Sequence, residues 1–125
     1  MKLVVDSSVF IEYLRGHQPF FFRLRGILER GDVVAFEPIF AELLQGAKDQ
    51  REIDLIKNLY DNLNQVSEQG VWVDAGVLSA QQKLFKKGVG IIDAAIVAFA
   101  SRYQLKVYTL DKKLLSILPG NLVYI

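Results

Sequence analysis

Cysteine is absent from this 125-residue chain, and histidine occurs once, as His17. The first absence excludes disulfides, thiol nucleophiles and cysteine-ligated zinc. The single histidine excludes a ribonuclease mechanism built on a histidine pair. It also leaves a Ser–His–Asp triad dependent on His17, with no Gly-x-Ser-x-Gly elbow to accompany it. His17 falls in a loop and reads as a solvated turn residue. A long apolar run is missing too: none approaches the ~18–20 residues that a membrane span needs. The N-terminal run Leu3-Val4-Val5 meets a charge at Asp6, too soon for a signal-peptide core. Nor is there an excess of charge of one sign, with 15 Lys and Arg against 14 Asp and Glu. Bulk charge therefore does not announce a nucleic-acid binder, although the cations can still gather on one face. The expectation is one globular domain over residues 1–125, with no membrane association, in the reducing cytoplasm.

What is present is an alternation of strand and helix signals. Leu3-Val4-Val5 reads as a buried strand ending on Asp6-Ser7-Ser8, followed by helical spacing from Val9 to Arg15. Pro19 opens a helix running toward Leu28, and Val33-Val34-Ala35-Phe36 reads as a second strand. Pro38 starts a helix with Ile39, Phe40, Leu43, Leu44 and Ala47 on one stripe. Glu42 lies about 60° from Ile39 around that helix, at the edge of the stripe. Arg51 to Val66 is an amphipathic helix. Val71-Trp72-Val73 reads as a short strand, and a helix beyond it turns Val77, Leu78, Gln81, Leu84 and Phe85 to one face. Lys86-Lys87-Gly88 closes that helix. Lys106 to Leu110 reads as a strand ending on Asp111, Lys112 to Leu118 as a short helix, and Leu122 to Ile125 as a final strand. The pattern is that of an α/β protein with a central parallel sheet covered on both faces.

The stretch Gly90 to Ala100 organises the rest. It is an apolar helix carrying one charge, Asp93, near its start. A carboxylate entering a core is costly unless it is paired, hydrogen-bonded or metal-bound. Asp93 either caps the helix or belongs to a site. Three more acids occupy comparable places. Asp6 and Asp111 end strands beside the hydroxyls Ser8 and Thr109, and Glu42 sits at a helix boundary. In a parallel sheet the carboxyl ends of central strands meet. Like charges about 4 Å apart repel by roughly 4 kcal/mol at an effective dielectric of 20, so such a cluster holds protons or recruits cations. Oxygen-only ligands select hard ions, Mg²⁺ or Mn²⁺. A hard ion with open water positions suits phosphodiester hydrolysis.

Val4-Val5-Asp6-Ser7-Ser8, Ala41-Glu42-Leu43-Leu44-x-Gly46, Asp93-Ala94-Ala95-Ile96-Val97-Ala98-x-Ala100 and Thr109-Leu110-Asp111, in that order, resemble the PIN-domain family. Within it, size and order are similar to the VapC toxins of VapBC toxin–antitoxin pairs. The resemblance implies a three-layer α/β/α fold and a Mg²⁺- or Mn²⁺-dependent endoribonuclease. It places the catalytic and metal-binding acids at Asp6, Glu42, Asp93 and Asp111, with supporting hydroxyls at Ser8 and Thr109. It also implies a cognate antitoxin protein as partner, an RNA substrate, and a homodimer or toxin–antitoxin complex. One departure stands out: many relatives carry a further acid where this chain has Lys113. Arg15, Lys112 and Lys113 are the foremost candidates for RNA backbone contacts, with Arg23, Arg25, Lys86 and Lys87 behind them. Phe20-Phe21-Phe22 cannot all face inward, which leaves one ring for a partner. The rival reading is a catalytically silent module of the same fold that binds RNA or a protein. An aspartyl-phosphate fold has less support, because Ser8 stands where a second acid is wanted after Asp6.

Overall fold

Parallel pairing of very short strands defines the centre of the molecule. A computed structural model describes all 125 residues. Strand β1 (Leu3–Val5) pairs with β2 (Lys106–Tyr108), in the register Leu3–Lys106, Val4–Val107 and Val5–Tyr108. Single parallel bridges widen this pair on both sides: Leu3 to Val33, Val34 to Asn64, and Val107 to Val123. The order across the sheet is Asn64, Val33–Val34, β1, β2, Val123. Because all run the same way, the chain leaves the strands at one common edge. The strand residues Leu3, Val4, Val5, Val33, Val34 and Val107 are all buried, as a sheet covered on both faces requires.

Seven helices surround it: α1 (Ser7–Leu14), α2 (Phe20–Glu29), α3 (Glu37–Gln45), α4 (Gln50–Asp61), α5 (Val71–Gln82), α6 (Ile91–Tyr103) and α7 (Lys112–Ile117). Helix α1 packs on α2 and α3, α3 on α4, and α5 on α6. This is the α/β arrangement around a parallel sheet expected from the sequence. No helix is long and apolar enough to cross a membrane. Helix α6 carries the core. Ala94, Ala95, Ile96, Phe99 and Ala100 are fully buried, and Phe99 stacks on Phe36 with ring centroids 4.3 Å apart. Its first turn emerges from the interior, with Ile91 about half exposed. One cluster of 31 buried apolar residues spans the chain from Leu3 to Leu122.

Several elements differ from expectation. Val71-Trp72-Val73 is the first turn of α5, not a strand. Gly70 takes a left-handed conformation, φ +79°, and Asp74 N–H bonds back to Gly70 O at 3.0 Å. A three-residue run of Val, Trp and Val does not decide its own conformation; here it meets no strand edge. The inward face of α5 falls on Val71, Ala75 and Leu78, leaving Val77 in solvent, and the helix ends at Gln82, so that Phe85 lies beyond it and is exposed. The expected strands at 33–36 and 122–125 shrink to single bridges. Glu37 and Pro38 turn the first into α3, and a 3₁₀ turn at Gly120–Leu122 replaces the start of the second. Helix α4 stops at Asp61, which frees Asn64 to pair with Val34.

Candidate active site

Asp6 follows β1 and is 6% exposed. By position it is the N-cap of α1, yet its side chain makes no cap bond. Its Oδ2 instead accepts from Thr109 Oγ at 2.7 Å and from Ser8 Oγ at 2.8 Å. Each hydroxyl in turn accepts a backbone N–H of the turn after β2: Leu110 N–H to Ser8 Oγ at 3.1 Å, and Asp111 N–H to Thr109 Oγ at 3.0 Å. A hydroxyl has one proton to give. Both hydroxyls donate to Asp6 Oδ2, which orients the carboxyl and ties the ends of β1 and β2 together. Ser8 and Thr109 thus do more than close turns.

Asp111 caps α7. Its Oδ1 accepts from the N–H groups of Lys113 at 2.8 Å and Leu114 at 3.5 Å. The capping reading holds for that oxygen, while Oδ2 accepts no hydrogen bond from the protein. Asp93 is the third residue of α6. The N-cap is Gly90, and no side chain caps this helix. Asp93 therefore makes no cap hydrogen bond, and as an acid in the first turn of α6 it meets only the helix dipole. Its carboxyl is partly buried, has no hydrogen-bond partner and is pushed up to about 6. Burial is the largest cause, followed by the charges of Asp111, Asp6 and Glu42, with Lys113 opposing them. Glu42, on the outer side of α3, is the most exposed of the four. Its carboxyl is raised by partial burial, then by Asp6 and Asp111, while the Ser7 hydroxyl pulls the other way. The four acids, far apart in sequence, act on one another across the common edge where the strands end.

This donor set contains only oxygen. No three of the acids lie close enough to make a ready-made cage for a metal. Mg²⁺ does not need one, because it is usually held by one or two carboxylates and keeps several waters. The residues fit such a sparse, water-rich site: a partly buried, unpartnered Asp93 beside the free oxygen of Asp111, with Asp6 fixed behind them. A closed structural zinc site does not fit. His17 is exposed and bonded to Glu12, not to any of the four acids.

Cations flank the acids. Lys113 reaches across from α7 to donate to Gly88 O at 3.2 Å, and Lys112 beside it is exposed. Arg15 ends α1 and, with Glu42, Leu43, Lys48, Arg51 and Leu55, lines a groove of about 540 Å³ between α1, α3 and α4. Of the three phenylalanines, Phe21 stacks on Tyr13 and Phe22 is 75% exposed. Sequence reasoning missed two features. Ser7 faces Glu42, which the paired serines after Asp6 could have signalled. The Phe85 turn lies beside Lys113, which no local pattern indicates.

The family model described as PIN domain matches residues 3–117. The fold is similar to a chain in the crystal structure of VapBC2 from Rickettsia felis bound to a DNA fragment from their promoter. That match has a TM-score of 0.71 and 17% sequence identity, and covers 98% of this chain and 96% of the other. At such identity the likeness is one of fold. No curated protein matches the sequence.

Proposed function

The chain belongs to the PIN domain family, and from that premise we propose that it is a metal-dependent endoribonuclease, the toxin of a two-protein toxin–antitoxin module. The observation that carries this reading is the state of Asp93, a partly buried carboxyl with no cap to make, raised to about 6 beside three other acids. The helix dipole at the start of α6 favours an acid there by only about 0.3–1 kcal/mol, and α6 is anchored by its alanines, Ile96 and Phe99. The arrangement stores like-charge repulsion that a divalent cation relieves.

In this reading Asp93, Asp111 and Asp6 hold Mg²⁺ or Mn²⁺, directly or through water, and Glu42 completes the set from α3. The bound ion supplies positive charge at the scissile phosphate and acidifies a water. Ser8 and Thr109 keep Asp6 oriented. Asp111 is aimed by its own cap bonds to α7, which leave the second oxygen free. Arg15, Lys112 and Lys113 contact the RNA backbone on either side. The products are a 5′-phosphate and a 3′-hydroxyl. We further place residues 1–125 as one nuclease domain working in the cytoplasm, with a homodimer or a toxin–antitoxin complex as its assembly. Phe22 is offered to the antitoxin.

The test is cleavage of RNA in Mg²⁺, in EDTA, and by Asp93→Asn in Mg²⁺. Cleavage confined to the first condition supports the proposal. Undiminished cleavage in either of the others removes it. Binding of RNA or of a partner protein without any cleavage or Mn²⁺ uptake favours the silent module instead.

A further inference from the structure

The turn between α5 and α6 presents an aromatic ring in an unusual way. Phe85 is 89% exposed. A mobile loop would explain that, but this turn is closed on itself. Lys87 N–H and Val89 N–H both bond to Leu84 O at 3.0 Å, and Gly88 N–H bonds to Phe85 O at 3.1 Å. Leu84 and Val89, on either side, are buried and peg the turn to the core. Gly88, at φ +75°, makes the bend. The fold thus buries both neighbouring apolar side chains and holds Phe85 out in water.

The surroundings of the ring are cationic. Lys86 and Lys87 follow it directly, and Lys83 precedes it. No acid occurs between Asp74 and Asp93. The bond from Lys113 Nζ to Gly88 O brings the start of α7, with Lys112 and Lys113, against the same turn. None of these five lysines is ion-paired with a carboxylate. The patch therefore lies beside Asp111 and within electrostatic reach of Asp93. A single rigid ring among free lysines is a poor core for a protein interface, where lysine is depleted. It suits single-stranded nucleic acid, which offers a stacking face between phosphates.

We propose that the Phe85–Gly88 turn, with Lys112 and Lys113, is a docking platform for unpaired RNA, Phe85 stacking on a base while the lysines hold the phosphates that lead into the acidic site. The proposal rests on RNA being the substrate, as above, and assigns the groups of this chain that hold the strand. Phe85 would be a positioning residue for the strand, touching a base away from the reacting phosphate.

The experiment measures binding of a fluorescent single-stranded RNA, and of the same sequence as a duplex, to the full chain in EDTA. Phe85→Ala is expected to weaken single-strand binding roughly ten-fold or more, with little change for the duplex. Phe85→Trp should restore it and show indole quenching on binding. Replacing Lys86 and Lys87 by Gln should reduce the salt dependence by about 0.7 per lysine in log–log slope. Unchanged single-strand affinity in Phe85→Ala, or an equal loss for single strand and duplex, overturns the platform. So does a Phe85→Ala defect confined to self-association or antitoxin binding. Wild-type cleavage in Mg²⁺, run in parallel, separates the two ideas. Cleavage with ring-independent binding sinks the platform alone, and ring-dependent binding without cleavage sinks the nuclease reading alone.

Discussion

Where the strands of the sheet begin, polar groups are paired. Lys2 Nζ donates to Gly31 O and Leu3 N–H to Asp32 O, each at 2.8 Å. Asn64 Nδ2 donates to Gly31 O at 2.7 Å and Val33 O at 2.9 Å, and Lys106 Nζ reaches Asn121 O. Where the strands end, four acids act on one another through their charges; one of them, Asp93, finds no donor at all. The same strands thus carry two different constructions. The first end ties the segments together and contributes stability. The second spends stability to keep charge in a place where water only partly reaches it. A buried carboxyl that the fold leaves unpaired marks a site more clearly than one that is well satisfied.

The sharpest way to break this comparison is Asp93→Asn. Cleavage should fall ~10²-fold or more, the scale on which one lost contact to a developing charge acts. Folding stability near pH 7 should rise at the same time. A carboxyl moved from 3.8 to about 6 costs the folded, charged state at most about 3 kcal/mol, and partial exposure reduces this to about 1–2 kcal/mol. The sign can be checked with pH. The folded state holds the Asp93 proton more tightly than the unfolded chain does. Its contribution is therefore complete below about pH 4 and is lost as pH rises through about 6. Urea midpoints of wild type and Asp93→Asn should converge at the acid end and separate above it.

Thr109→Val should lower stability instead, by about 1–3 kcal/mol, because the buried Asp6 loses a donor. Cleavage should fall about ten-fold or more, as expected when a ligand loses the group that orients it. Asn64→Ala, at the other end of the sheet, should cost only about 1 kcal/mol in urea unfolding and leave the cleavage rate unchanged. A cleavage defect in Asn64→Ala, or a loss of stability in Asp93→Asn, would erase the contrast between the two ends.

Much of this contrast was legible in the chain itself. Asp6 directly follows β1 and Asp111 comes three residues after β2, so parallel pairing of the two strands brings both acids to the same end of the sheet. Asp93 was conspicuous because every residue around it is apolar. Whether it capped its helix was not legible, since that depends on the position of the first helical residue. The fate of Glu42 was similarly local in sequence and non-local in cause, as its neighbours Asp6 and Asp111 arrive from other segments. Phe85 was read as part of an inward face because the periodicity of α5 was extended past its true end. Lys83 takes a left-handed conformation that stops the helix, at φ 54°, and no glycine or proline there announces it. The strand expected at Val71–Val73 fails for a different reason: three residues do not contain a period.

Anomalous diffraction from a crystal soaked in Mn²⁺ tests the central claim most directly. Crowded oxygens at the end of β1 and β2 should give a peak among Asp6, Asp93 and Asp111, and the same soak of Asp93→Asn should lose it. A full-occupancy peak elsewhere on the chain, or no peak among these carboxylates, would contradict the account.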